Sequence, residues 1–278
     1  MAPNQPRDPG RIDGGYIRAF STLGCPELDL PGVFALARAH AVAAVELRVL
    51  KGSLDLPAHF RGLGLDPAAL RAAADAAGIR VVAIDTSLRL IDGTQEDRER
   101  FLEMVPWAEA LGPARLRVFD GGSAADAGEM RRAAATLGWW RSVRAGRGWK
   151  ADIMVETHDT LLTSAAIDRF VRAAPGAAIL WDSHHTWRKG GEDPAETWRS
   201  VGRHVVHIHV KDSAGGPGSG ASGGYALPGT GSFPMGALRA AVSGEFAGPV
   251  SLEWERHWHP EIAPLDEALR SAASTSWW

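Results

Sequence analysis

The sequence predicts a closed barrel of eight parallel strands, each followed by a helix. Three observations carry that expectation. Short Val/Ile/Leu-rich runs alternate with helical patterns along the chain, the mark of parallel strands joined by crossover helices. The alternation fills eight units without a remainder, which favours a (β/α)8 TIM barrel over an open sheet. The length of 278 residues suits one such unit, since these barrels run to about 250 residues as a single domain.

Residues 1–12 are polar and proline-rich and read as a flexible leader, leaving 13–278 as the barrel domain. Residues 15–23 alternate apolar and polar and form the first strand. Asp29, followed by Leu30-Pro31, is a helix N-cap with proline in the first turn, where a missing N–H costs little. Residues 42–49 make strand two, with Glu46 and Arg48 sharing a face by the two-residue period. Asp66-Pro67 repeats the start signal for an Ala-rich helix that Gly78 closes, and 79–85 is strand three. Thr94 and Asp97 have capping-box spacing, opening a helix to Leu111 that Gly112-Pro113 stops. Strand four is 115–119, and 124–144 is its helix. Strand five ends at Glu156 with helix 163–174. Strand six ends at Asp182, and Asp193-Pro194 starts the next helix. Strand seven ends near His209 with helix 234–242; strand eight ends at Glu253 with helix 261–273. The glycine-rich stretch 213–224 reads equally as a lid over the strand ends or as a tolerated insertion, and it lacks the G-K-[ST] of a phosphate loop.

Composition excludes several classes. The net charge of −3 offers no basic field to nucleic acid. Cys25 stands alone, so no intrachain disulfide forms, and it has no histidine or helix-start partner that would make it a nucleophile. The first residues lack the apolar core of a signal peptide, and no run approaches the roughly 18 apolar residues of a membrane span. A soluble cytoplasmic protein is expected.

The chemistry concentrates in the last third. Four β-like runs each end in a residue able to hold a metal: Glu156, Asp182, His209 and Glu253. In a parallel barrel the C-terminal strand ends open on one face, so these four converge. Taken singly, each reads better as a capped turn, a solvated carboxylate or a core histidine. Four in consecutive strand–helix units reverse that judgement. Three carboxylates and one imidazole form a mostly hard donor set, suited to Mn²⁺ first, with Mg²⁺, Co²⁺ and Zn²⁺ behind it. Without a cation, three gathered negative charges would raise one another's pKa.

These motifs carry a family resemblance. The E-x-H of Glu156 and His158, the D-x-x-H of Asp182 and His185, the H-x-K-D of His209 to Asp212, the S-L-E-W-E of Ser251 to Glu255 and the G-T-G-S-F-P turn at 229–234 resemble the xylose-isomerase-like barrels of the sugar phosphate isomerase/epimerase family. The resemblance implies Glu156, Asp182, His209 and Glu253 as metal ligands, with His185 and His158 touching substrate oxygens. It also implies a ketose chemistry in which Glu156 and Glu253 serve opposite faces of one carbon, removing and returning a proton through an enediolate. Proton transfer on one face would give aldose–ketose isomerisation instead. The likeness breaks at Thr160-Leu161-Leu162, where the epimerases carry a second acid, and at Ala214-Gly215-Gly216, where they carry an arginine. Substrate identity therefore does not transfer.

Neighbouring residues are weighed separately. Lys211 and Arg48 fall near the mouth by strand parity, to meet an anionic or hydroxylated substrate or to pair with a carboxylate such as Glu255. His207 reads as a core histidine below His209, and His184 as a turn residue. His257, Trp258 and His259 follow strand eight; Trp181, Trp187 and Trp254 lie close enough in sequence to offer a ring to a sugar. The expected partner is a small sugar or polyol, with no membrane or nucleic acid and with homo-oligomerisation open. Two other chemistries fit the same barrel. One is a lyase that dehydrates a keto-polyol or cyclic ketone, with His158 or His185 as acid. The other, a repair endonuclease, wants further histidines where strands two and three end in Leu47-Arg48 and Asp85-Thr86. A non-enzymatic sugar-binding role is disfavoured by the complete ligand set.

Overall fold

The computed structural model describes residues 15–112, 114–218 and 224–278, so the leader and Pro113 lie outside it. Eight strands form a closed parallel barrel in chain order: β1 Ile17–Ser21, β2 Ala44–Leu47, β3 Arg80–Arg89, β4 Arg115–Phe119, β5 Ile153–Glu156, β6 Ile179–Asp182, β7 Val205–Val210 and β8 Pro249–Leu252. Closure is made by β1, which pairs with β2 on one side and β8 on the other. The expected number, order and direction of strands are those found. β8 stops one residue short of Glu253, whose N–H still bonds Val210 O at 3.0 Å.

Ten helices surround the barrel among the described residues: α1 Leu30–Ala39, α2 Leu56–Gly62, α3 Pro67–Ala77, α4 Gln95–Leu111, α5 Ala127–Arg147, α6 Ser164–Ala173, α7 Ser183–Arg188, α8 Pro194–Val201, α9 Met235–Val242 and α10 Leu265–Ser274. The start signals act as read. Asp29, Asp66, Thr94, Thr163 and Asp193 each accept a backbone N–H of the first turn, and Asp97 completes the capping box. Gly78 closes α3 at φ +67°, where a side chain would be strained. α5 begins later than expected because residues 123–125 are held back by Glu129, whose carboxylate accepts their backbone N–H groups at 2.8–3.0 Å. α10 also begins late, since Pro264 disfavours helix at Ala263 before it. Two short helices, α2 and α7, were not anticipated.

Side-chain alternation sorts the barrel's two faces. Outward residues such as Val45, Val155, Trp181 and Ile208 join the main core beneath the helices. Inward, Ala83, Met154 and Leu180 form a small separate apolar plug. The next inward positions along those strands are Asp85, Glu156 and Asp182, all fully buried. An apolar floor therefore lies under an ionic layer at the C-terminal strand ends. No helix of the described residues is long and apolar enough to cross a membrane.

Candidate metal centre

Glu156 ends β5, Asp182 ends β6, His209 is the penultimate residue of β7, and Glu253 directly follows β8. Asp182 and His209 sit side by side in the ladder. One ligand atom from each of the four lies within 4.8 Å of the others. They are 1%, 0%, 0% and 5% exposed, so water does not solvate these charges. His209 Nδ1 faces Glu156 Oε1 at 3.6 Å and Glu253 Oε2 at 3.4 Å. Both Glu156 oxygens, Asp182 Oδ2 and His209 Nδ1 lack a hydrogen bond. Buried polar atoms left so are costly, and several converging on one point suit a cation.

Charge counting agrees. Five fully buried carboxyls occupy this layer (Glu46, Asp85, Glu156, Asp182 and Glu253) against three buried cations, Arg48, Arg117 and Lys211. Arg117 Nε approaches Glu156 Oε2 at 3.2 Å, and Lys211 Nζ lies 2.8 Å from Asp182 Oδ2, 2.6 Å from Glu255 Oε1 and against Glu253. Burial opposes the charged forms of Glu156 and Glu253, but Arg117 beside the one, and Lys211 and His209 beside the other, hold both below the usual carboxylate range. Asp182 is pushed up to about 6 by burial, partly offset by Lys211. Asp85 is held well above its ordinary value by burial and by the charge of Glu46. With Asp85 neutral, four carboxylates face three fixed cations, and the fourth positive charge is the proton of His209, which burial lowers but Glu46 and Glu253 hold well above its ordinary value; a divalent ion would take that proton's place.

A cavity of about 880 Å³ adjoins this group, lined in part by His158, His185, His184, Tyr225 and Glu255. His185 Nδ1 lies 3.1 Å from both Thr157 O and Asp182 Oδ2, and its ring meets that of His158 edge-on at 4.9 Å. Burial, with Lys211 second, drives the His185 pKa well down, so its ring is neutral. His158 goes the other way: burial lowers it, but the 2.8 Å bond to Asp159 and the charge of Glu156 outweigh that.

The model of the xylose isomerase-like TIM barrel family matches residues 34–275. The chain belongs to that family. None of the curated proteins matches it significantly. Solved structures do. The probable 3-DHS dehydratase AsbF of Bacillus anthracis, involved in petrobactin synthesis, superposes with a TM-score of 0.74 at 15% identity, over 93% of this chain and 98% of that one. A xylose isomerase domain containing protein of Salmonella typhimurium LT2 gives 0.69 at 13% identity, over 98% and 100%. A family 2 AP endonuclease of Brucella melitensis gives 0.62 at 15%, over 95% and 98%. At these identities the likeness is one of fold.

Within this xylose isomerase-like barrel, the structure brings the four expected ligand residues together and sets His158 and His185 in the cavity wall. Lys211 is fully buried and its ammonium is committed to three carboxylates, the ion-pairing arrangement rather than a free cation at the mouth. Arg48 instead reaches Asp85 O and Ser87 Oγ, at 3.3 and 3.0 Å. The tryptophans expected beside the centre present no open ring. Trp181 points outward because its neighbour Asp182 points in, and it stacks on Trp198 at 6.1 Å. Trp187 and Trp254 are 6% and 1% exposed, packed on Phe233 and against Ala263 O. The end of the H-x-K-D motif is architectural: Asp212 accepts the N–H groups of Ser213, Gly229, Gly231 and Phe233. The proposed lid falls partly on residues 219–223, outside the described residues; its ends are joined by a bond from Ala214 N to Gly224 O at 3.0 Å. Sequence reasoning missed the roles of Asp85, Arg117 and Tyr225. For Asp85 and Arg117 the only signal was a charge placed mid-strand, which becomes an inward position once the barrel closes; Tyr225 lies between β7 and α9 and gave none.

Proposed function

We propose that this protein is a divalent-metal-dependent isomerase or epimerase of a ketose or keto-polyol. The observation that carries this reading is a pair of ionised glutamates, Glu156 and Glu253, in one buried four-residue group beside a cavity large enough for a sugar. Glu156, Asp182, His209 through Nδ1, and Glu253 would hold the ion, and their oxygen-rich character favours Mn²⁺. When bound, such an ion polarises the neighbouring carbonyl and hydroxyl oxygens of a substrate and makes the adjoining C–H acidic. One glutamate takes that proton, and the electron pair enters the C=C bond of an enediolate. The other glutamate, carrying a proton drawn from solvent, delivers it to the opposite face and inverts the centre. His185, neutral and tied to Thr157 O, orients a substrate hydroxyl, with His158 beside it. Lys211, at the next inward position beyond His209, acts by fixing Asp182, Glu253 and Glu255. A cytoplasmic site of action belongs to the same reading and rests on the single, buried cysteine.

A second reading, dehydration of a keto-polyol, is favoured by one observation. His158 keeps its proton more readily than an ordinary histidine and lines the cavity, as the acid for a departing β-hydroxyl must. The fold likeness to a probable dehydratase is consistent with it. Incubation of the Mn²⁺-loaded protein with ketoses and inososes in D2O separates the two. Isomerisation or epimerisation gives a product of unchanged formula carrying solvent deuterium at carbon; dehydration gives a product short of one water. No deuterium in any recovered sugar and no loss of water would remove both.

A further inference from the structure

Only one ring nitrogen of His209 faces the four-residue group. The other, Nε2, lies 2.9 Å from Glu46 Oε1, a residue of β2 that no part of the ligand set requires. Both atoms are buried, and the contact falls outside strict hydrogen-bond alignment, so no hydrogen bond satisfies either of them. A fully buried carboxylate inside a barrel is expensive to keep. Glu46 is nevertheless held in place. Its Oε2 accepts from Ser251 Oγ at 3.2 Å and lies 3.0 Å from His207 Nε2, while His207 Nε2 meets Ser251 Oγ at 2.7 Å. The directions follow from proton counting. Ser251 has one hydroxyl proton and gives it to the carboxylate, so the His207 Nε2–H must be the donor to Ser251 Oγ. That chain occupies one oxygen of Glu46 and leaves Oε1 for His209 alone.

We propose that Glu46 is the positioning residue of the metal centre: it takes the Nε2 proton of His209, so that Nδ1 is the nitrogen aimed between Glu156 and Glu253 and left to the ion. This rests on the metal reading given above. A carboxylate behind a ligating imidazole selects the tautomer, orients the ring and raises its basicity. Glu46, His207 and His209 also gather closely enough to hold an ion themselves. A second cation there is the weaker reading. It would ask His209 to give both nitrogens to metals, and would displace His207 and Glu46 from Ser251.

The test uses the full chain in two measurements. Titration with Mn²⁺ followed by EPR compares the wild type with Glu46→Gln, Glu46→Asp and Glu156→Gln. ¹⁵N-histidine NMR of the same proteins without metal, carried up in pH until His209 keeps a single proton, reads its tautomer. We expect Glu46→Gln to weaken Mn²⁺ binding by about 10–100-fold and to turn a single Nε2–H tautomer into a mixture, since an amide can donate or accept. Glu46→Asp keeps the charge and should recover part of both. If Glu46→Gln does not fold, Ser251→Ala, which frees Glu46 from one side, should shift the tautomer partially. Wild-type affinity together with an unchanged tautomer in Glu46→Gln overturns the proposal. So does a wild type holding two ions per chain, one of which Glu46→Gln loses. Absence of any Mn²⁺ binding in the wild type would instead defeat the metal reading, and the tautomer would still decide the role of Glu46.

Discussion

Asp182 divides its carboxylate between two tasks. Oδ1 accepts the N–H of His185 at 2.8 Å and so starts α7, while Oδ2 joins the ligand group beside Lys211. Asp182→Asn keeps an oxygen for the cap and removes the charge; Asp182→Ala removes both. We therefore expect both variants to lose Mn²⁺ binding, but only Asp182→Ala to lose the cap's stability, about 1 kcal/mol, as read by thermal unfolding of the metal-free proteins. Burial pushes Asp182 up to about 6, and for His209 burial is outweighed by Glu46 and Glu253, which hold it above its ordinary value, so protons compete with the ion as the pH falls below 7. The sign is definite: wild-type affinity for Mn²⁺ falls between pH 7 and pH 5, and a constant affinity over that window would refute the assignment. At this scale the four converging residues were readable because each is a polar residue at or near the end of a Val/Ile/Leu-rich run. Asp85 and Arg117 were not, since they sit inside strands whose inward parity becomes visible only once the barrel closes. The ladder between β3 and β4 also slips between Asp85 and Arg89, which breaks a simple alternation count.

At the scale of elements, buried carboxylates organise the loops around the centre. Asp120 accepts from the backbone of Asp159, Thr160 and Leu161 after β5. Asp212 does the same for the G-T-G-S-F-P turn after β7, and Gly231 packs so tightly there that a Cβ would lie 2.2 Å from Asp212 Oδ1 and 2.6 Å from Ser213 O. Gly231→Ala should therefore cost about 1–3 kcal/mol through overpacking and lower Tm by several degrees. An unchanged Tm would show that the turn yields freely. The starts of the longer helices were readable where an Asp or Thr preceded a proline or an apolar period. α2 carries that signal too, as Asp55-Leu56-Pro57, whose N-cap oxygen accepts Ala58 N at 3.0 Å. Its brevity hid it, and seven residues offer too little periodicity to register. α7 was hidden for another reason: its N-cap is Asp182, already assigned to the metal group.

For the whole molecule, the barrel brings together residues that are distant in the chain. The ends of strands β5 to β8 supply the four candidate ligands, and β2 adds Glu46 behind them. The eight-fold alternation was readable because outward strand residues are mostly apolar, whereas the ionic interior depends on contacts between strands. A cation bound by four strands ties half of the barrel together, so ion binding and stability are linked. The measurement that bears most directly on the account is an equilibrium Mn²⁺ titration with calorimetry, paired with thermal unfolding. The account predicts one ion per chain, a Tm that rises with Mn²⁺ and returns on chelation, and loss of both effects in Glu156→Gln. A wild type that takes up no ion, or binding and Tm shifts that persist in Glu156→Gln, would contradict it.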